Sequence, residues 1–150
     1  MKNRTGSMKN RTRKNRSKTT SHSSFEKEIV ITFLQMLNNV KLYHWKTHSF
    51  ATHKATDDLY AKLNENIDSF VEVLLGKYGD RANLTHVKTI QIRDFSTQEQ
   101  FKKQMNYYKE YLISLDNHRV MKMMANSDLY NIRDEMLANL NQLLYLLTFK

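Results

Sequence analysis

Five side chains in the first half of the chain have the types and spacing to hold a metal ion: His44, His53, Asp57, Asp68 and Glu72. The chain contains no Cys, so thiolate sites and disulfides are excluded. Any metal must be held by imidazole and carboxylate groups, a donor set that suits iron, manganese or zinc. From His53 onward, each of these residues follows the one before by four or eleven positions, both close to whole helical turns. At about 100° per residue, His53, Asp57, Asp68 and Glu72 fall within an arc of roughly 100° on one helix. Taken singly, such residues are ordinary solvated side chains. Gathered on one face, they have the composition that divalent cations select.

The elements that must carry these residues are helices. There is no Pro, and the only Gly residues are Gly6, Gly76 and Gly79, which leaves few turn formers and argues against many short strands. Ser23 and Glu26 read as a capping box opening a first helix that runs to about Thr47, with Phe25, Ile29, Phe33, Leu37 and Val40 at spacings of three and four. A second helix is expected from Ser49 to Gly76, with Leu59, Leu63, Ile67, Phe70 and Leu74 as its apolar stripe. Residues 77–95 are polar and irregular and read as a long connection. Ser96 and Glu99 form a second capping box before a helix carrying Phe101, Met105, Tyr108, Leu112 and Leu115. Asp128 is the expected cap of a fourth helix with Ile132, Met136, Leu140, Leu143 and Leu147. The resulting fold class is all-α: an antiparallel four-helix bundle over residues 23–150 with one long crossover, the ferritin-like variant. The Met and aromatic residues in the stripes are core, and Trp45 and Tyr60 are read as packing residues.

This arrangement constrains any metal site. His44, near the end of the first helix, should come close to His53 and Asp57 across the turn. Asp68 and Glu72 lie about 15 residues further on, roughly 22 Å along the second helix. One hairpin cannot gather all five. Two antiparallel copies of the second helix can, because pairing 53 with 72 and 57 with 68 gives the same midpoint for both pairs. A twofold axis at that midpoint, beside the small residues Ala61 and Asn64, would create two equivalent sites, each shared by both chains of a homodimer.

The stretch VKLYHWKTHSFATHKATDDLYAKLNENIDSFVEVLLG, residues 40–76, resembles the Dps family of mini-ferritins. That family carries a His before Trp, a second His, an Asp one turn later, and an Asp and Glu one turn apart, which form a ferroxidase centre between two subunits. By position, the resemblance implies His44, His53 and Asp57 from one chain and Asp68 and Glu72 from its neighbour, with Phe50 as the aromatic between the two His residues. It implies oxidation of Fe2+ by peroxide or oxygen and storage of the ferric product, with zinc or manganese as alternative occupants of the same ligands. The segment between the two His residues is about three residues shorter than the family's usual length. The connection 77–95 also lacks the short apolar helix that helps Dps dimers close into dodecameric cages. The trimmed turn and the wording Lys46-Thr47-His48 are similar to ferritin-like proteins of large DNA viruses, which makes a non-catalytic structural or DNA-packaging protein, virion-associated, the alternative reading.

The formal charge of +9 is concentrated at one end. Residues 1–22 carry Lys2, Arg4, Lys9, Arg11, Arg13, Lys14, Arg16 and Lys18 and no acid, while the remaining 16 basic residues face 15 acidic ones. The sequence MKNRT occurs at 1–5 and again at 8–12. This segment reads as a disordered basic arm, too poor in apolar side chains to offset the entropy of ordering. Cations spaced by Asn, Thr and Ser suit phosphate contacts without base readout, so non-specific DNA binding is expected, as in the arms of Dps proteins. A nuclear-import signal and a tether to an acidic partner use the same charges. A transit peptide would need an apolar helix face, which Met1 and Met8 cannot supply. No apolar run is long enough to span a membrane, and the expected location is intracellular, in the cytoplasm or nucleoid, or in a virion.

Overall fold

A computed structural model describes residues 8–123 and 125–149, with side chains from His22 onward. The chain is all-helical, and among the described residues there is no strand. Helix α1 spans Met8–Lys46, α2 Phe50–Tyr78, α3 Gln98–Ser114, α4 Arg119–Lys122 and α5 Ser127–Leu146, with a 3-10 turn at Leu115–Asn117 between α3 and α4. Helix α2 packs against both α1 and α5, and α3 packs against α5. The apolar stripes of α1, α2 and α3 are buried as their spacing requires, and Phe33 meets Phe70 edge to face with ring centroids 5.3 Å apart. Each such buried aromatic or aliphatic side chain stabilises the fold by about 1.5–3 kcal/mol.

Several boundaries differ from the sequence expectation. Helix α1 already includes Met8, the first described residue, and does not open at Ser23, so helical backbone runs through 8–22 where a disordered arm was expected. No Gly or Pro interrupts residues 8–46, and a capping signal cannot start a helix that nothing upstream has stopped. Glu26, the expected capping partner, is buried, and its Oε1 accepts the Asn83 backbone N–H at 3.3 Å. Lys2 and Arg4 lie outside the described residues, as do the side chains of Lys9, Arg11, Arg13, Lys14, Arg16 and Lys18. Helix α2 passes through Gly76 and stops at Gly79, whose φ of 68° is the left-handed conformation that glycine accepts most readily. At α3 the cap is Thr97, one residue later than expected. Its side chain accepts from Gln100 N, while Gln100 Oε1 accepts from Ser96 N at 2.8 Å. Asp128 lies in the first turn of α5 rather than capping it; Asn126 holds the cap position. Leu129 and Arg133 take the buried places near the start of α5, leaving Ile132 half-buried.

The connection 79–97 has no regular element, yet it is fastened to α1. The Arg93 backbone N–H donates to Asn39 Oδ1 at 2.8 Å, and Asn39 Nδ2 donates to the Tyr108 hydroxyl at 2.6 Å. Phe95 is buried against Tyr43 and Phe101, whose rings stack 4.1 Å apart. The turn from α1 into α2 is much shorter, three residues from Thr47 to Ser49, and it brings His44 and His53 together.

Candidate metal centre

The α1–α2 turn is built from local hydrogen bonds. Ser49 caps α2 by accepting from Thr52 N at 3.2 Å, and its own N–H donates to Thr47 Oγ1 at 3.2 Å. Across this turn the imidazoles of His44 and His53 stack with centroids 3.8 Å apart and planes inclined by 22°. Each ring bonds to the other residue's backbone. His44 Nδ1 lies 2.9 Å from the His53 carbonyl oxygen, and His53 Nδ1 lies 2.9 Å from the His44 carbonyl oxygen. A carbonyl only accepts, so both Nδ1 atoms carry the proton, and in the neutral ring each Nε2 keeps its lone pair. The His44 carbonyl belongs to the last turn of α1, where helical carbonyls lack an intrahelical donor, and the His53 ring supplies one. Thr56, fully buried, adds its Oγ1 3.3 Å from His44 Nδ1 and donates to the Thr52 carbonyl at 2.8 Å.

Asp57 joins this pair. Its Oδ1 is 3.8 Å from His44 Nε2 and 3.7 Å from Lys41 Nζ, beyond hydrogen-bonding distance of both. His44 is 6 % exposed, whereas Asp57 is largely open to solvent. Lys41 Nζ also lies over the rings of Tyr60, at 4.6 Å, and Trp45, at 5.8 Å. Sequence reasoning passed over Lys41 and Thr56. The one signal available was the position of Lys41 three residues before His44, on the same helical face.

Asp68 and Glu72 lie further along α2, both exposed, and no ion pair involves either among the described residues. The structure thus brings together three of the five candidate residues and leaves two apart on the same helix. Among the described residues, no group of three or more His, Asp and Glu side chains is close enough to hold a metal ion within one chain. Trp45, expected to pack, is 70 % exposed, and Phe50 is 78 % exposed. Both stand near the turn beside the His pair. His48 is exposed, while His22 contacts Tyr78 edge-on and His118 stacks on Phe25 at 4.2 Å, far along the sequence from the candidate ligands. No described helix is long and apolar enough to cross a membrane.

The chain belongs to a family of unknown function, DUF5856, whose model matches residues 44–147. The matched span begins at His44, so it holds all five candidate ligands and leaves out the cationic segment. No curated protein and no solved structure matches the chain.

Proposed function

We propose that the protein is a ferritin-like, antiparallel helical bundle that binds Fe2+ between two chains of a homodimer and oxidises it with peroxide or oxygen, as a Dps-like mini-ferritin. One observation carries this reading: the reciprocal bonding of His44 and His53, which commits both Nδ1 atoms to backbone carbonyls and leaves both Nε2 lone pairs for a cation. An Nδ1–H bonded to a carbonyl is the usual way a metal-binding His is held in one tautomer and orientation. Asp57 adds a carboxylate beside His44, and Asp68 and Glu72 of a second copy would complete the set. Imidazoles fix the geometry of entry, and carboxylates favour the ferric product over Fe2+ through charge.

Contacts between helices support the bundle. Along α1 and α3, Asn39 meets Tyr108 and Tyr43 meets Phe101. Along α2 and α5, Lys62 meets Gln142 and Asn66 meets Asn139. In each helix pair one residue number rises as the other falls, as in antiparallel neighbours. The irregular connection 79–97 is the long crossover of the ferritin-like variant. Its lack of helix favours a dimer over a closed dodecameric cage. The cationic segment is the proposed handle for DNA, and the proposed location is intracellular or in a virion.

A second reading, a non-catalytic structural or DNA-packaging bundle whose ligands hold zinc, uses the same residues. Timed oxidation separates the two. Fe2+ added anaerobically and then exposed to oxygen or peroxide should give a ferric absorbance rise far faster than in buffer. The rise should be lost in the Asp68→Ala/Glu72→Ala protein. A wild-type rate equal to buffer overturns the ferroxidase reading.

A further inference from the structure

Gln100, Lys103, Gln104 and Tyr107 recur along α3 at spacings of three and four and therefore share one face of the helix. Such spacing ordinarily marks a buried apolar stripe. Here only Gln104 is buried, and the other three are exposed. Across from this face stand Arg93 and Asp94 of the crossover. Both are tied to α1: the Arg93 backbone N–H donates to Asn39 Oδ1 at 2.8 Å, and Asp94 Oδ2 accepts from Lys46 Nζ at 2.7 Å. The result is an open cleft of about 530 Å³, within the range of about 300–1,000 Å³ that small-molecule sites occupy.

The hydrogen-bonding groups of the cleft are one-sided. Its side-chain carboxylate and amide oxygens are already engaged. Besides the Lys46 bond, Asp94 Oδ1 accepts from the Phe95 backbone N–H at 2.8 Å. Gln100 Oε1 accepts from the Ser96 N–H at 2.8 Å, and Gln104 Oε1 accepts from Arg93 Nη1 at 3.1 Å. What is left over is donors: the rest of the Arg93 guanidinium, the Lys103 ammonium and the Gln100 amide nitrogen. Lys46 matches the Asp94 charge, whereas neither Arg93 nor Lys103 has an ion-pair partner among the described residues. Beside these cations the Tyr107 ring is 58 % exposed and packs edge to face on Tyr108, with ring centroids 5.7 Å apart.

Spare donors facing engaged acceptors select an anion. A guanidinium and an ammonium together suit a phosphate, and an exposed aromatic ring accepts the flat face of a base. We propose that this cleft binds a nucleoside monophosphate unit, with its phosphate on Arg93 and Lys103 and its base stacked on Tyr107. The same unit occurs as a free nucleotide and within a single strand of nucleic acid. The cleft shares no residue with the candidate metal centre or the cationic segment, and the proposal depends on neither reading.

Titration of the full-length protein with adenosine monophosphate, and separately with a short thymidine oligonucleotide, tests this. Tyr107→Ala should weaken binding about fivefold or more, whereas Tyr107→Phe, which keeps the ring, should bind as wild type does. Lys103→Gln should weaken binding by up to about fivefold, and Arg93→Gln should weaken it further. Tyr107 and Lys103 are exposed, so their substitution should leave the helicity unchanged. Every cation of residues 1–22 stays in place throughout, so a loss is not that segment's. A Tyr107→Ala loss confined to the mononucleotide assigns the cleft to a free nucleotide, and a loss for the oligonucleotide assigns it to a single strand. The proposal is overturned if neither probe binds, if Tyr107→Ala weakens neither, or if Tyr107→Phe loses as much as Tyr107→Ala. Full affinity in both the Lys103→Gln and Arg93→Gln proteins overturns it equally, since the phosphate would then be held elsewhere.

Discussion

Lys41 Nζ stands 3.7 Å from Asp57 Oδ1 and 4.6 Å from the centre of the Tyr60 ring. The ammonium is thus a resident cation beside the carboxylate that a metal would use. Replacing it by a neutral side chain of similar length, Lys41→Met, should tighten binding of a divalent cation. Because both groups are partly exposed, the pair contributes no more than about 1 kcal/mol, so the gain should be at most about fivefold. Anaerobic calorimetry with Fe2+, repeated with Zn2+, reads this directly. Weaker binding in the variant would mean that Lys41 supports the site instead of competing for it.

Sharing of the centre between chains is tested by complementation. A His44→Ala/His53→Ala protein and an Asp68→Ala/Glu72→Ala protein should each be inactive in Fe2+ oxidation. Unfolded and refolded together in equal amounts, half the dimers are mixed, and each mixed dimer has one of its two centres intact. About a quarter of wild-type activity should return. If refolded wild type is active and the mixture recovers nothing, the ligands do not come from two chains.

The exposed positions of Asp68 and Glu72 separate ligand from scaffold. Neither has an ion-pair partner among the described residues, so the double Ala substitution should change folding stability by no more than about 0.5 kcal/mol. A large loss of helicity or a drop in denaturant midpoint would assign them a structural role.

Asn39 should behave in the opposite way. It is buried, accepts from Arg93 N and donates to the Tyr108 hydroxyl. Asn39→Leu leaves that N–H without its protein acceptor, which costs about 1–3 kcal/mol. Urea titration should show the loss, and proteolysis should begin in the connection 79–97 that Asn39 fastens.

Alkaline stability depends on buried phenols. Burial, with the Glu26 carboxylate nearby, pushes the Tyr78 hydroxyl up to about 12, and burial pushes Tyr111 up as well. An unfolded phenol ionises near pH 10, so the unfolded chain loses its protons first. Stability should therefore be intact below pH 10 and fall progressively as pH rises toward 12. Melting curves across that range should show a shallower decline in the Tyr78→Phe protein than in wild type.

The core was legible because burial imposes a period. Phe25, Ile29, Phe33 and Val40 on α1, and Leu59 to Leu74 on α2, occupy the positions that their spacing assigns. Helix ends were less legible, since they depend on backbone conformation more than on residue type. Gly76 and Gly79 look alike in sequence, and only Gly79 takes a positive φ. Arg133 was missed as a buried residue because its burial depends on distant partners, the Asp116 carboxylate at 2.8 Å and the Leu112 carbonyl at 3.2 Å. At the candidate centre, spacing identified His44, His53 and Asp57 as neighbours. It could not reveal the crossed Nδ1–carbonyl bonds, which arise only when a three-residue turn places two helix ends side by side.

Helix α1 runs unbroken from Met8 to Lys46, and it therefore acts as a ruler. Lys18 and His44 lie at fixed positions on one rod, about 39 Å apart along its axis. A polyanion and a cation bound as proposed above, at the near and far ends, would be kept from meeting by the stiffness of the backbone between them. Oxidising equivalents released at the imidazole pair would then have to cross about one protein diameter of side chains or bulk water before reaching a nucleobase. A Gly-Gly insertion at a solvent-exposed position between the two ends would remove that stand-off while leaving both ends chemically unchanged.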